Sequence, residues 1–478
     1  MCEPLPKGSA LEHGHEHDKA HAGWSRRDFL STTLAAAGFG FLLGNTPVKA
    51  FASHPMLQQL AGLETDRILV LIQLNGGNDG LNTVIPITND LYYQRRPTLA
   101  IRAADAFTLN TDTALHPQLR GLEAMWGDGQ MAILRNVGYP NPNLSHFRAT
   151  DIFVTGSDSD VIENTGWMGR MLKGQYPAYP SAEFKRPLAV QIGTNASLMF
   201  QAPDAGMAMN INSVALFERL ASSGKAYDTE NVPAGLYGEE LAYLRSLSNQ
   251  SYAFAGVVHE ASQKGANQAT YPSGNSLATN LAIVAKLIKG GLGAKVYMVS
   301  LGGFDTHANQ AASHATLMLR LSGAVKAFYD DLKVTGMGDK VASMTFSEFG
   351  RRVNENGSAG TDHGSSAPMF LFGGGVTGGL MGSAPSLTSL DASGNLRFET
   401  DYRQVYATVL NDWFGIPPAD TSQVFGREFQ TLSLIRDPIS TGIRDEPSLP
   451  DRFELEQNHP NPFNPSTEIR FIVEAQDL

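Results

Sequence analysis

Five short runs of this chain bring together side chains that bind metals, move protons or grip anions. "GGFDTH" carries Asp305 and His307, "FSEFGRR" carries Glu348 and Arg351, and "GTDHGSS" carries Asp362 and His363. "NGGNDGLN" adds Asn78 and Asp79, and "NLSHFRATDIF" adds Ser145, His146 and Arg148. A catalytic divalent ion needs oxygen and imidazole ligands drawn from several elements, held at fixed geometry, to activate water or a hydroxyl and to steady transition-state charge. Asp79, Asp305, His307, Glu348 and His363 supply that mixture and are the expected metal ligands, for Zn, Mn, Mg or Ca. Each also has a plainer reading: Asp79 or Asp305 as the cap of a following helix, and Ser145 as an N-cap.

These residues are gathered by position. Each run lies at the end, or just before the start, of an apolar segment that reads as a buried strand: 68–74, 131–138, 187–193, 295–303, 340–346 and 368–374. Segments with helical spacing fill the gaps, such as "NSLATNLAIVAKLIKGG", with Leu277, Leu281, Val284, Leu287 and Ile288 on one face. Strands buried on both faces and joined by helices predict an α/β fold, a central mostly parallel sheet layered between helices. Ligands of such sheets sit beyond the carboxyl ends of the strands, where the five runs fall. His116 reads as a helix start, and His259 and His314 as helix-surface residues.

Composition narrows the function. The chain has 478 residues and a formal net charge of −11, with 17% charged residues. No basic cluster lies outside the first segment, so nucleic acid is not an expected partner. The single cysteine, Cys2, leaves no disulfide and no thiolate nucleophile in the mature protein. No G-x-S-x-G elbow supports a Ser-His-Asp hydrolase built on Ser145, Asp305 and His363, and no G-x-G-x-x-G follows the first strand.

The two ends read as addresses. "SRRDFLSTTLAAAGFGFLLGNTPVKAFA", with Arg26 and Arg27, resembles a twin-arginine export signal within residues 1–52. Its apolar run is shorter than the ~20 residues a membrane span needs, so no stable span is expected in the mature form. Such export carries folded proteins, often with a cofactor already loaded. The histidines of the preceding "HGHEHDKAH" read as solvated leader. After a linker at 436–452, "LEQNHPNPFNPSTEIRF" within 453–478 resembles the start of a type IX secretion sorting module, with Pro460, Pro462 and Pro465 forbidding a helix. The expected destination is the periplasm, the cell surface or the medium, with the export machinery as partner.

Between these ends, "LIQLNGGNDGLNTVIP", "GGFDTH", "FSEFGRR" and "GTDHGSSAPMFLFGGGV" resemble the bacterial family DUF1501 over residues 67–435. That family is grouped with the alkaline phosphatase and sulfatase superfamily. The resemblance implies an alkaline-phosphatase-like fold and a metal-dependent hydrolase acting on a phosphate or sulfate ester, a small anionic substrate. It also implies metal ligation by Asp79, by the Asp305–His307 pair, by Glu348 and by His363. Ser145, with His146 beside it, matches the place of the superfamily nucleophile at a helix start, and Asn78, Arg148 and Arg351 are the expected anion-binding groups. The chain departs from the pattern where Glu348–Phe349 stands in place of an Asp-His pair, which removes one imidazole. The alternative is a secreted or surface binding protein that keeps the fold with a degenerate metal site.

Overall fold

Alternate residues of the first apolar run enter two different cores. In the computed structural model, Leu69 and Leu71 pack into one buried cluster while Ile68, Val70, Ile72 and Leu74 pack into another, as the two-residue period of a strand requires. The structure describes residues 65–439 except 182–183, 194–195, 212–226, 229–230 and 234, together with two-residue strand segments at 42–43, 46–47, 454–455 and 471–472. Apart from those segments, the export and sorting stretches lie outside the described residues. Among the described residues no helix is long and apolar enough to cross a membrane.

The central sheet has nine strands. They are β1 (Ile68–Asn75), β2 (Met131–Gly138), β3 (Ala189–Ile192), β4 (Ala208–Ile211), β5 (Val296–Gly302), β6 (Val341–Phe346), β7 (Ala367–Phe372), β8 (Gly379–Met381) and β9 (Thr400–Asp401). Their spatial order is β8-β2-β7-β6-β1-β5-β3-β4, with β9 also beside β2. Every strand but β7 runs the same way, and β7 is antiparallel to both of its neighbours. The expected α/β fold with a mostly parallel sheet is therefore observed, and the six strands read from the sequence are present.

Register brings the strand ends to one rim. Asn75 of β1 pairs with Gly302 of β5, and Gln73 with Phe346 of β6. The reversed strand β7 begins at this same rim, so the residues preceding it, His363 among them, arrive where the parallel strands end.

Helices α1 (His146–Thr155) and α2 (Trp167–Gln175) cover one face with the 402–425 segment. On the other face lie α3 (Leu236–Lys264), α4 (Ser276–Lys289) and α5 (Gln310–Lys333). The α4 start is capped by the Asn275 side chain accepting from the Ala278 N–H, and its five expected apolar positions are all buried. His314, expected on a helix surface, is instead 1% exposed, with its Nε2 3.2 Å from Asn78 Oδ1; His259 is half-buried. His116 does start a helical turn, accepting from the Gln118 N–H.

Candidate metal centre

Asp305 stands at the tip of a tight turn after β5. The Phe304 N–H donates to Asn75 O at 3.2 Å, and the Thr306 N–H returns to Phe304 O at 2.8 Å. The turn after β1 presses against it. Gly76 has φ of +122°, and a Cβ there would lie 2.4 Å from the Asp305 nitrogen, so only glycine allows this approach. That is the physical reason for "NGG" after the first strand.

Beyond β6, the Ser347 hydroxyl donates to Leu74 O at 2.8 Å and accepts from the Asn78 N–H at 2.9 Å. Glu348, 1% exposed, accepts from the Gly76 N–H at 2.8 Å and meets His146 Nδ1 at 2.9 Å through the same Oε1. His146 is the first residue of α1, behind the N-cap Ser145. The pair Gly350–Arg351 with His363–Gly364 forms a short antiparallel ladder that delivers His363.

These elements converge on one carboxylate oxygen. Asp305 Oδ1 lies 3.1 Å from His307 Nε2, 3.3 Å from His363 Nε2 and 3.4 Å from His146 Nε2. His307 Nε2 and His363 Nε2 are 2.9 Å apart. The ligand atoms of His146, Asp305 and His363 all fall within 4.8 Å of one another. Around a tetrahedral ion with ligand distances near 2.0–2.1 Å, neighbouring ligand atoms are roughly 3.3 Å apart, so the spacing fits a bound ion. Phe349, 1% exposed, backs the His146 and His363 rings at 4.8 and 4.4 Å between centroids.

The far side of each ring is held. His146 Nδ1 faces Glu348, His363 Nδ1 donates to Leu144 O at 2.8 Å, and His307 Nδ1 lies 3.4 Å from Asp362 Oδ1. Metal-ligating imidazoles are oriented in this way by carboxylates and carbonyls. A carbonyl can only accept, so His363 carries a proton on Nδ1, and its Nε2 faces the Asp305 oxygen. Burial lowers the His363 pKa, and the Arg351 charge adds to this, against the opposing bonds to Leu144 and Asp305. Burial draws the Asp305 carboxyl upward, but the hydrogen bond and charge of Arg351, with His363 and His307, outweigh it and hold the pKa low. The imidazole-rich donor set suits a transition ion such as zinc better than magnesium or calcium, which prefer oxygen.

The remaining expected site residues are placed as follows. Asp79 is not brought to this cluster: its carboxylate is buried in an ion pair with Arg96 at 2.6 Å and accepts from Gln310. Asn78 is fully buried and accepts from the Thr83 hydroxyl, so it is not open to a substrate. Arg351 is 1% exposed, with its guanidinium donating to the carbonyls of Gly76, Gly77, Phe304 and Thr361 and to Asp305 at 2.8 Å. It ties three loops together rather than gripping an anion. Arg148 Nη2 donates to the carbonyls of Asp158, Ser159 and Val161. Glu348 sits behind His146 as its orienting partner instead of facing the shared centre, and His146, expected as a catalytic group, supplies an imidazole to the cluster. Ser145 is exposed, and its side chain makes no capping bond.

Glu348→Ala is therefore expected to weaken metal binding by about 10–100-fold through loss of the ring's orienting partner. Calorimetric titration with Zn2+ checks this. The metal-free fold should also lose about 1–3 kcal/mol, because the buried Gly76 N–H is left unpaired, which a thermal melt reads.

A search of curated proteins finds no match to this chain. Among solved structures, the alkaline phosphatase from the Antarctic bacterium TAB5 is similar at 9% identity, covering 65% of this chain and 92% of that one, with a TM-score of 0.28. The C-terminal periplasmic domain of EcEptC from Escherichia coli, in complex with Zn, matches at 13% identity over 65% of this chain and 74% of that one, TM-score 0.29. A protein in the alkaline phosphatase superfamily from Vibrio parahaemolyticus matches at 9% identity over 82% and 73%, TM-score 0.30. The family described as "Protein of unknown function (DUF1501)" matches residues 129–429, well over half of the chain, and the chain belongs to that family.

Proposed function

We propose that this chain is an exported metal-dependent hydrolase acting on a phosphate or sulfate ester or a related anion. The observation that carries the reading is the convergence of His307, His363 and His146 Nε2 on Asp305 Oδ1 at 3.1, 3.3 and 3.4 Å, the spacing that ligands of a shared tetrahedral ion have. His146, Asp305 and His363 would hold the ion, with His307 beside two of them. When bound, the ion supplies Lewis acidity toward an ester oxygen.

The chain's own residues complete the reading. Glu348, Leu144 O and Asp362 hold the three rings in place. Ser145 offers a hydroxyl at the N-terminus of α1, whose first N–H groups and helix dipole favour a negative group there, and it is the proposed nucleophile. The side chains of Asp305 and His307 are 49% and 44% exposed, so a substrate can reach the centre. The Arg26–Arg27 leader and the Pro-rich C-terminal run support export to the periplasm, the surface or the medium.

The test is hydrolysis of p-nitrophenyl phosphate and p-nitrophenyl sulfate by chain loaded with Zn2+ or Mn2+. Turnover that a chelator removes and that Ser145→Ala suppresses is the expected result. A chain that binds the ion tightly yet turns over neither ester contradicts it. A second reading, a binding protein without a metal, is favoured by the Arg351 guanidinium 2.8 Å from Asp305 Oδ1, which already neutralises that carboxylate.

A further inference from the structure

Two of the ligand-bearing runs carry a threonine beside their acid: "GGFDTH" has Thr306 after Asp305, and "GTDHGSS" has Thr361 before Asp362. Both threonines are buried, and both hydroxyls donate to one acceptor, Gln310 Oε1, at 3.0 and 2.5 Å. Gln310 is the first residue of α5 and is fully buried. Its Nε2 donates to Asp79, whose carboxylate is ion-paired with Arg96 and can only accept. The amide is therefore oriented from behind, with its oxygen turned to the two threonines. The same loops also meet through the main chain. The Thr361 N–H donates to Thr306 O at 3.2 Å, and the Asn309 and Gln310 N–H groups donate to Ser358 O and Ala359 O at 3.0 and 2.9 Å. A Cβ on Gly360 would lie 2.2 Å from the His307 carbonyl carbon, so a larger residue there would push the loops apart.

We propose that Gln310 is a positioning residue of the metal centre: by drawing Thr306 and Thr361 onto one amide oxygen, it sets the separation of Asp305 from His363. The inference rests on the metal-centre part of the hydrolase reading and needs no ester to be cleaved. Asp305 stands one residue before Thr306, and His363 two residues after Thr361. A hydroxyl that leaves the amide frees its loop to move relative to the other, and the ligand spacing of a tetrahedral ion tolerates little such movement. Asp79 steadies the amide from the far side, whereas the threonines carry its hold to the ligands. Gln310 itself touches neither the ion nor a substrate.

The test uses the full chain and three readouts: calorimetric Zn2+ titration, the visible absorption of the Co2+-loaded form, which follows ligand geometry, and a thermal melt of the metal-free form. Gln310→Met keeps the side-chain length and loses both polar ends. It should bind Zn2+ about tenfold more weakly, the low end of what outer partners of metal ligands cost, and shift the Co2+ spectrum. Thr306→Val/Thr361→Val keeps the shape without the hydroxyls and should do the same. Thr306→Ser/Thr361→Ser keeps the hydroxyls and should stay within a few-fold of the wild type, with its spectrum. Wild-type affinity and spectrum in Gln310→Met or in the valine variant, whatever the melting temperature, make Gln310 a core residue alone and overturn the proposal. Equal losses in the valine and serine variants overturn it too, because packing and not the hydroxyls would then hold the loops. If Gln310→Met does not fold, the comparison of valine with serine decides by itself. A wild-type chain that binds neither ion removes the metal centre and this proposal with it. A chain that binds both ions and cleaves no ester overturns the hydrolase reading alone.

Discussion

Asp305→Asn is expected to reduce metal affinity by more than about 100-fold, beyond the usual cost of losing an outer partner of a ligand, and to leave the fold intact. The carboxylate oxygen is the point on which three imidazoles converge, so removing its charge removes the one anion among the inward-facing groups. The amide keeps the shape and can still accept from Arg351, which also retains four backbone carbonyls. The side chain is half exposed, so stability should change by no more than about 1 kcal/mol. Zn2+ titration and a thermal melt of the same preparation check both halves. Unchanged affinity would contradict the assignment, and a collapsed melting temperature would make Asp305 a structural residue.

Asp79→Ala should behave in the opposite way. Asp79 and Arg96 have fully buried side chains, and breaking such a pair by removing one partner costs about 3–5 kcal/mol, because a buried charge is left uncompensated. Arg96 also donates to Asn82, Val353 O and Arg352 O, so the loss spreads from the turn after β1 to the loop after β6. Metal affinity, measured below the lowered melting temperature, should stay within a few-fold of the wild type. Burial pulls the Asp79 carboxyl upward, yet the charge and hydrogen bond of Arg96, with His314 and Gln310, outweigh it and lower the pKa. The pair's stabilisation is therefore fully present above the unfolded carboxyl pKa, near 3.9, and is lost as pH falls through the lower folded value. Chemical denaturation across that window should show the gap between wild type and variant narrowing.

The contrast between these two acids shows what the sequence could and could not convey. Both follow an apolar strand and a Gly-Gly pair. One meets imidazoles, and the other meets an arginine seventeen residues further on, and a buried arginine reads like a surface one until the fold closes over it. The strands themselves were legible because burial on both faces demands unbroken apolar runs, as in 68–74 and 341–346. The edge strands β4, β8 and β9 were not: "AMNI", "GLM" and "TD" are short and carry little apolar signal. The reversal of β7 left no local mark, though it is what carries His363 to the rim.

His146 is the instructive case at the site. The Glu348–Phe349 pair lacks an imidazole that the family resemblance leads one to expect. The structure brings one from α1, oriented by that same Glu348 across 202 residues of sequence. No spacing rule links the two. Phe349 carried a faint signal, since an apolar ring amid polar strand-end residues marks a wall, and it packs on the rings of His146 and His363.

The most direct measurement is metal content. The purified chain, stripped with a chelator and then dialysed against Zn2+ or Mn2+, should retain close to one equivalent or more of tightly held ion per chain by elemental analysis, and Asp305→Asn and His363→Ala should each lose it. A wild-type chain that emerges from the same treatment free of metal, with no heat of binding on titration, would contradict a cation between His363 and Asp305 and leave Arg351 as the sole counter-charge there.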